Sequence, residues 1–323
     1  MNNINNNKLK LGILLPTREI LLPGHVGPSI ETIFSMADIV ENAGLDSIWV
    51  GDSLTAKPRL EPLTMLAAIA ARTKKVRLGT AVLLAALRNP LALAQAVGTL
   101  DIISQGRAIL GAGVGGAFNK AQRQEWVNLG IEISTRAKRF EEVLQITKSL
   151  IADNKGKYSG SHFHLDNVTI LPKSSRSSET PILIACHWNT GKDIQFRRAA
   201  RLGDGFISIS DYPQEYGLLC RKVKEYTEQY GRNYENMESA FYMTINIAYD
   251  ERKATEEANH FLHQYYGGNY WGDRWGPYGS PARIAERICQ YREAGADTII
   301  IRFASFKQEH QLEMLLNTIV PLL

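Results

Sequence analysis

Eight short runs of aliphatic and β-branched residues recur along the chain, and no other property of the sequence limits its possible folds so strongly. Most of these runs are apolar nearly throughout instead of alternating, which is typical of strands buried on both faces. They lie at 9–15, 47–50, 76–83, 108–111, 182–185, 205–208, 241–248 and 298–302. The sequence therefore predicts eight strands that other elements cover.

The segments between the runs have helical periodicity. Stripes of apolar residues at three- and four-residue spacing begin at Ile30, Phe140 and Leu312, and Ser280-Pro281 is placed to begin a further helix. Alternating strands and helices predict an α/β fold, a (β/α)8 TIM barrel with insertions at its C-terminal face, and 323 residues suit such a barrel. An open doubly wound sheet is the competing architecture, which the count of eight runs and the last helix disfavour.

Four stretches are longer than plain connections. They are 52–61, 114–135, 152–180 and 250–279, and three of them directly follow strands two, four and seven, where barrel enzymes carry their active sites. The fourth, 152–180, reads as an exposed excursion in which Tyr158, Phe163 and Leu165 pack. We expect a disordered polar tail over 1–8 and a single domain over 9–323.

Composition excludes several classes of function. The formal net charge is only +4, and no block of like charge could follow a phosphate backbone, so nucleic acid is an unexpected partner. No uninterrupted apolar stretch reaches 18 residues and the N-terminus lacks a signal-peptide core, so we expect a cytoplasmic protein with no membrane contact. Cys186, Cys220 and Cys289 predict free thiols.

Glycines cluster after the fourth predicted strand. Gly111, Gly113, Gly115 and Gly116 would let the backbone approach a flat or anionic ligand, because no Cβ intervenes. The alternative is that they only relieve crowding where the chain leaves the barrel.

Several motifs in fixed order resemble the bacterial-luciferase-like monooxygenase family of flavin- and deazaflavin-dependent oxidoreductases. They are SIWVGDSL, LGTAVL, RNP, LDIISQGR and LGAGVGG, followed by PILIA, RLGDGFIS, GSPARIAERI and EAGADTIII. The resemblance covers about residues 8–323. It implies the same barrel, a homodimer, and reduced FMN or a deazaflavin coenzyme at the strand ends. It also implies a non-prolyl cis peptide bond between Ala81 and Val82 that supports the coenzyme ring. The predicted coenzyme-binding residues of this half are Ala81, Val82, Gly111, Gly113, Val114 and Gly115.

The segment after strand five is the predicted phosphate site. A helix that begins near Thr190 would direct its free N–H groups, the Thr190 hydroxyl and Lys192 at one point, with His187, Asn189 and Gly191 beside them. An ordinary helix cap formed by Asn189 or Thr190 is the alternative interpretation.

The chain also departs from the family. Ser53 stands where many members have an acid–base histidine, Gly116 where deazaflavin-using members often have glutamate, and Val114 where luciferase has a phosphate-binding arginine. These departures favour a monooxygenase that uses oxygen and reduced FMN from a separate flavin reductase, acting on an unidentified small substrate. The alternatives are deazaflavin-dependent hydride transfer and a low-turnover flavin-binding protein.

Other residues remain as candidates for proton transfer and for the substrate pocket. His187 and His25 are the candidate acid–base residues, although either could be merely exposed. Trp49, Ser53, Phe118 and Trp188 are the predicted pocket residues. Tyrosines and tryptophans over 265–278 could form a lid or could simply pack on the barrel. Arg88 is expected to pair with a carboxylate, and no metal site is expected from the histidine pairs.

Overall fold

Eight parallel strands close into a barrel in the computed structural model, which describes residues 9–22, 28–152, 156–171 and 180–323. In chain order the strands are β1 (Lys10–Leu14), β2 (Ser47–Val50), β3 (Arg77–Thr80), β4 (Ala108–Gly113), β5 (Ile182–Ala185), β6 (Gly205–Ile209), β7 (Glu238–Ile247) and β8 (Thr298–Phe303). Each pairs with its neighbour in sequence, and β8 pairs with β1 through Lys10↔Thr298 to Ile13↔Ile301. The predicted TIM barrel is thereby confirmed.

Helices surround this barrel. They are α1 (Ile30–Asn42), α2 (Pro62–Arg72), α3 (Pro90–Ser104), α4 (Lys120–Asn128), α5 (Arg136–Ala152), α6 (Asp193–Leu202), α7 (Pro213–Gln229), α8 (Glu251–Tyr266), α9 (Pro281–Glu293) and α10 (Gln308–Met314). Local chemistry sets their starts: the Ser280 hydroxyl accepts a hydrogen bond from the Arg283 N–H and Pro281 opens α9, as predicted.

The barrel interior is filled by side chains from alternate strands. Leu14, Trp49, Ile109, Leu183 and Ile300 belong to this inner cluster, while a larger apolar layer lies between the strands and the helices. Trp49 is 0% exposed and its indole N–H donates to the Ser47 hydroxyl at 2.8 Å. The prediction that Trp49 lines the substrate pocket therefore fails, because the ring is sealed inside the barrel.

The long connections differ in where they pack. Within 114–135 lies α4, and 250–279 contains α8, whose end reaches the barrel mouth through Tyr266. A hairpin of Gly156–Ser159 and His164–Val168 instead packs on the outer helices, with Tyr158, Phe163 and Leu165 against Ile146 and Leu150. The packed part of the excursion is therefore where the sequence predicted it.

Three further expectations concern parts of the chain away from the mouth. The predicted tail over 1–8 lies outside the described residues. Cys186 and Cys220 are buried, Cys289 is half-buried, and all three are free thiols. Among the described helices none combines the length and apolarity needed to span a bilayer.

Candidate functional site

A cavity of about 180 Å³ opens at the C-terminal mouth of the barrel. Its wall comes from the loops after β2, β3 and β4, from β7, and from α4 and α8; the residues that matter below are Asp52, Ser53, Lys57, Arg59, Ala81, Val82, Gly116, Glu125, Tyr242 and Tyr266. A larger depression of about 740 Å³, lined by Lys10, Asp46 and Arg292, lies at the opposite end. Barrel enzymes place their chemistry at the C-terminal end, so the smaller cavity is the candidate site.

The peptide bond between Ala81 and Val82 is cis, at the position that the resemblance implied. It directly follows β3, and both residues line the cavity. Their small apolar side chains and Gly116 give this wall a flat, uncharged surface. Such a surface suits the face of a tricyclic ring.

The glycines at the end of β4 and just after it contact protein atoms more than open space. A Cβ at Gly111 would lie 1.9 Å from the Thr80 carbonyl oxygen, and one at Gly113 would lie 2.7 Å from Val82 Cγ2. Gly115 has a φ of +89° and lies against Trp126. Gly111 and Gly113 therefore make room for the backbone around the cis bond, which is the crowding alternative. Gly116 lines the cavity, whereas Val114 packs at the edge of the core.

The predicted phosphate site after β5 is already satisfied by a carboxylate of the protein. The N–H groups of Trp188 and Asn189 donate to the fully buried Asp211 at 2.8 and 3.0 Å. The Thr190 hydroxyl donates to the His187 carbonyl at 2.9 Å. An added phosphate would compete with Asp211 for the same donors.

The helix boundary was also predicted wrongly. Residues Trp188–Thr190 form a 3-10 turn, Gly191 takes a left-handed conformation, and α6 begins only at Asp193, after Lys192. Asp193 places a second negative charge at the start of α6, where it also pairs with Arg197 at 3.0 Å. The helix expected to begin near Thr190 thus begins three residues later, at Asp193, and its first turn has no side-chain cap. The phosphate site of this segment stays a prediction.

His187 is held in one tautomer by the backbone. The Ile209 N–H donates to Nδ1 of His187 at 3.3 Å, so the neutral ring carries its proton on Nε2. Burial lowers the pKa of His187, and the charge of Asp211 only partly opposes this shift. His187 is therefore neutral at pH 7. His25, the other candidate acid–base residue, lies outside the described residues.

Ser53 and Asp52 line the cavity, and their partners explain their positions. Asp52 accepts hydrogen bonds from Arg88 and from the Leu84 N–H, both at 2.8 Å, so Arg88 pairs with a carboxylate as predicted. Burial raises the pKa of Asp52, although Arg88 opposes this shift. The Ser53 hydroxyl donates to Glu125 Oε1 at 3.3 Å.

Glu125 was missed by the sequence analysis. It is 3% exposed on α4, and the same Oε1 accepts hydrogen bonds from the N–H groups of Thr55 and Ala56 at 2.6 and 3.1 Å. It thereby fixes the loop after β2 against α4. Its position nine residues beyond the LGAGVGG motif, without a periodic pattern, gave no signal for this role.

Basic and aromatic side chains on one side of the mouth were also missed. Lys57 Nζ lies 4.3 Å from the Tyr266 ring centroid, and Arg302 Nη1 donates to the Tyr266 hydroxyl at 2.5 Å. Burial raises the pKa of Tyr266, but the charges of Arg302, Lys57 and Arg59 outweigh it and the pKa lies below that of an ordinary phenol. Tyr266 therefore gives up its phenolic proton more readily than an ordinary tyrosine.

The other predicted pocket residues lie elsewhere. Phe118 is 84% exposed, and Trp188 stacks on Phe196 with centroids 5.7 Å apart, so neither lines the cavity. In the aromatic segment, Tyr265, Trp275 and Tyr278 are buried and packed, whereas Tyr266 lines the cavity. Part of the aromatic segment therefore packs on the barrel, and Tyr266 alone of these four residues faces the mouth as a lid residue would. No cluster of three metal-ligand side chains occurs within the described ranges.

Comparison with known proteins gives three findings. The model of a family described as luciferase-like monooxygenase matches residues 9–274. A protein named F420-dependent glucose-6-phosphate dehydrogenase, from Amycolatopsis mediterranei, is 31% identical over 240 residues, which are 69% of this chain and 69% of the relative. Two solved structures superpose over nearly the whole chain.

Both solved structures have a TM-score of 0.80. The monooxygenase RslO1 from Streptomyces bottropensis is 22% identical, with 97% of this chain and 99% of that chain covered. An F420-dependent secondary alcohol dehydrogenase in complex with an F420-acetone adduct is 18% identical, with 98% and 99% covered. At these identities the two structures establish the fold.

Proposed function

Because the chain belongs to the luciferase-like monooxygenase family, we propose that it is an oxidoreductase that uses the deazaflavin coenzyme F420 for hydride transfer with a small organic substrate. A relative that is 31% identical carries an F420-dependent name. This supports the deazaflavin alternative better than the FMN-dependent monooxygenase that the sequence favoured. Oxygen incorporation is supported by the description of the family and by the name of a structure that is 22% identical.

The observation that carries this proposal is the cavity at the C-terminal mouth of the barrel, which Ala81, Val82 and Gly116 line on one side. Ala81, Val82 and Gly116 would support one face of the coenzyme ring, since they offer small, uncharged groups. A bound deazaflavin supplies a two-electron hydride acceptor or donor at this wall. The charged residues Lys57 and Arg59 line the same cavity and would face the substrate beside the coenzyme ring.

Tyr266 is the proposed acid–base residue. Tyr266 lines the cavity together with Ser53 and Gly116, the two positions where the family's usual proton-handling groups are absent. Its lowered pKa suits proton removal from a substrate hydroxyl, with Tyr266 Oη taking the proton and Arg302 stabilising the phenolate. In the reverse direction the phenol returns that proton to a carbonyl oxygen.

The test is a titration of the purified protein with oxidised and reduced F420 and with oxidised and reduced FMN. We expect F420 to bind at least tenfold more tightly. Val82→Trp should abolish binding by filling the cavity, whereas Val127→Trp, on a residue that is 61% exposed, should leave binding unchanged. Tighter binding of reduced FMN with oxygen consumption would establish the monooxygenase instead. FMN binding without turnover would favour the low-turnover flavin-binding protein.

A further inference from the structure

Four basic side chains, here called the cation cluster, surround two adjacent tyrosines at the barrel mouth. The ring centroids of Tyr265 and Tyr266 are 4.5 Å apart. Lys57 and Arg302 lie 4.3 and 5.1 Å from the Tyr266 centroid. The cation cluster consists of Arg18, Lys57, Arg59 and Arg302.

The remaining members of the cation cluster lie around Tyr265. Arg18, Arg59 and Arg302 have their guanidinium carbons 5.1, 5.8 and 5.3 Å from its ring centroid. Arg302 is 1% exposed, so at least one of these charges is entirely removed from water. The structure thus concentrates four positive charges around one pair of rings.

These cations are not neutralised by carboxylates in ion pairs within the described ranges. Arg18 donates to the carbonyls of Tyr265 and Pro58, and Arg59 donates to the Lys57 carbonyl at 3.3 Å. Arg302 donates to the hydroxyls of Tyr266 and Thr244, while its buried Nε has no hydrogen-bond partner. Carbonyls, hydroxyls and rings stabilise a cation but do not cancel its charge.

The acidic residues near the cation cluster do not balance its charge, because they are too few or are already bonded to other groups. Glu19 is 2% exposed, and burial raises its pKa, although Arg59 and Arg302 oppose this. Asp52 is paired with Arg88, and Glu125 accepts three hydrogen bonds from the loop after β2. A buried excess of positive charge is costly unless an anion accompanies it.

We propose that the cation cluster binds the carboxylate or phosphate group of an anionic substrate. Lys57 and Arg59 line the cavity and would contact the oxyanion, while Arg302, behind Tyr266, and Arg18 strengthen the positive potential. This inference rests on the proposed function in one respect, which is that the bound anion is taken to be part of the substrate. Arg302 lies on β8, and Arg18, Lys57 and Arg59 lie in the loops after β1 and β2, whereas β5 is four strands from β1 in the eight-stranded ring. The site is thus separate from the segment after β5.

The experiment measures binding to the apoprotein, without coenzyme, by calorimetry at constant ionic strength. The probes are 2-hydroxypropanoate and glycerol 3-phosphate, each paired with an uncharged counterpart, propane-1,2-diol and glycerol. At least one anion should bind tenfold or more tightly than its counterpart, and which anion binds distinguishes a carboxylate site from a phosphate site. Equal binding of the charged and uncharged compounds in both pairs would overturn the proposal.

Variants locate the binding. Lys57→Met and Arg59→Met should each weaken anion binding at least tenfold, whereas Lys253→Met should not, because Lys253 lies on the surface of α8 with 72% of its side chain exposed. Anion binding that is the same in wild type, Lys57→Met and Arg59→Met would refute the site. Lys57 makes no side-chain hydrogen bond within the described residues, so Lys57→Met keeps the packing of its stem over Tyr266.

Thermal unfolding gives a second readout. A probe at a hundredfold excess over its Kd should raise the wild-type Tm by about 5 °C, and this gain should be lost in Lys57→Met. Without the probe, Lys57→Met should be at least as stable as wild type because one uncompensated charge is gone. A large loss of stability would show that the cluster is structural. F420 binding is titrated separately. Anion binding without F420 binding would refute only the proposed function, whereas F420 binding without anion binding would refute only this inference.

Discussion

Tyr266 shows how a residue acquires a chemical role from neighbours that lie far away in the sequence. Its hydroxyl meets Arg302, 36 positions later, and its ring lies under Lys57 from the loop after β2. Neither contact follows a helical or strand period, so the sequence analysis treated Tyr266 as one of several lid aromatics. The environment, and not the residue type, distinguishes it from the 72% exposed Tyr270.

Replacing Tyr266 by Phe should lower kcat by about 10²–10⁴ in alcohol oxidation and should remove the rise of kcat with pH that phenol deprotonation produces. Because Arg302 lowers the pKa of Tyr266, Arg302→Met should move that rise to higher pH. Steady-state rates over pH 6–10 check both, with Tyr270→Phe as the control. An unchanged pH profile in Tyr266→Phe would assign the proton to another group.

Glu125 should act on stability and on cavity shape through its three hydrogen bonds to the loop after β2. Glu125→Ala leaves these donors without a partner and should lower the free energy of unfolding by about 1–3 kcal/mol, while Glu125→Gln, which keeps one acceptor oxygen, should cost less. Urea unfolding measures this, with the surface variant Glu228→Ala as the control. Equal stability of Glu125→Ala and wild type would remove Glu125 from this role.

At the scale of elements, the strands were predictable because burial on both faces leaves a continuous apolar run. β2 and β5 begin and end where the sequence predicted. The largest shift at a strand start is that of β7, which begins at Glu238 and not at 241, because its first residues carry polar groups that pair across the barrel floor. Such residues interrupt the apolar run without ending the strand.

The candidate site was less predictable, because its residues come together only through the closed barrel. The cis bond, Ser53 and Gly116 were placed by the resemblance, whereas Lys57, Arg59 and Glu125 were not identified. The sequence analysis of the segment after β5 did not anticipate Asp211, about 20 residues later, which accepts hydrogen bonds from the N–H groups of Trp188 and Asn189. Periodicity and capping rules relate residues within one helical turn, so they do not predict a contact with a carboxylate from the loop after β6.

The approach of β3 and β4 beside the cis bond should tolerate no side chain at Gly111. Gly111→Ala would place Cβ 1.9 Å from the Thr80 carbonyl oxygen, which is backbone and cannot rotate away. We expect a loss of about 3 kcal/mol or more in the free energy of unfolding. Gly98→Ala is the matched control, since Gly98 lies inside α3 with open space around it, and it should stabilise by up to about 1 kcal/mol. Comparable stability of the two variants would contradict the crowding argument.

For the molecule as a whole, one ion-pair network joins opposite sides of the barrel at the N-terminal end. Arg77, at the start of β3, donates to Glu238, at the start of β7, at 2.7 and 2.9 Å, and also contacts Asp46 before β2 at 2.6 Å. Glu238 further accepts a hydrogen bond of 2.5 Å from Thr298 on β8. In a ring of eight strands β3 and β7 are four apart, so this contact crosses the barrel floor.

This network should make unfolding of the whole barrel sensitive to acid. Burial raises the pKa of Glu238, but the hydrogen bonds and charge of Arg77 outweigh it, so the folded-state pKa is below the ordinary value. Because the pKa of Glu238 is lower in the folded protein, its carboxylate stabilises the fold fully at pH values above its pKa in the unfolded chain, about 4.3. This stabilisation is lost as the pH falls through the folded-state pKa. Glu238→Gln should therefore cost about 2–4 kcal/mol at pH 7 and progressively less below about pH 4.

Urea unfolding of wild type and Glu238→Gln at several pH values from 7 down to 3 would measure this convergence. Glu256→Gln is the control, because its pair with Arg252 leaves the two side chains 62% and 71% exposed, and solvent screens such a pair at every pH. Because the Glu238 contacts reach three strands besides β7, all of which must separate together, the loss should appear as a lower midpoint with an unchanged slope. If the free energies of unfolding of wild type and Glu238→Gln differ by the same amount down to pH 3, the carboxylate charge of Glu238 does not stabilise the closed barrel.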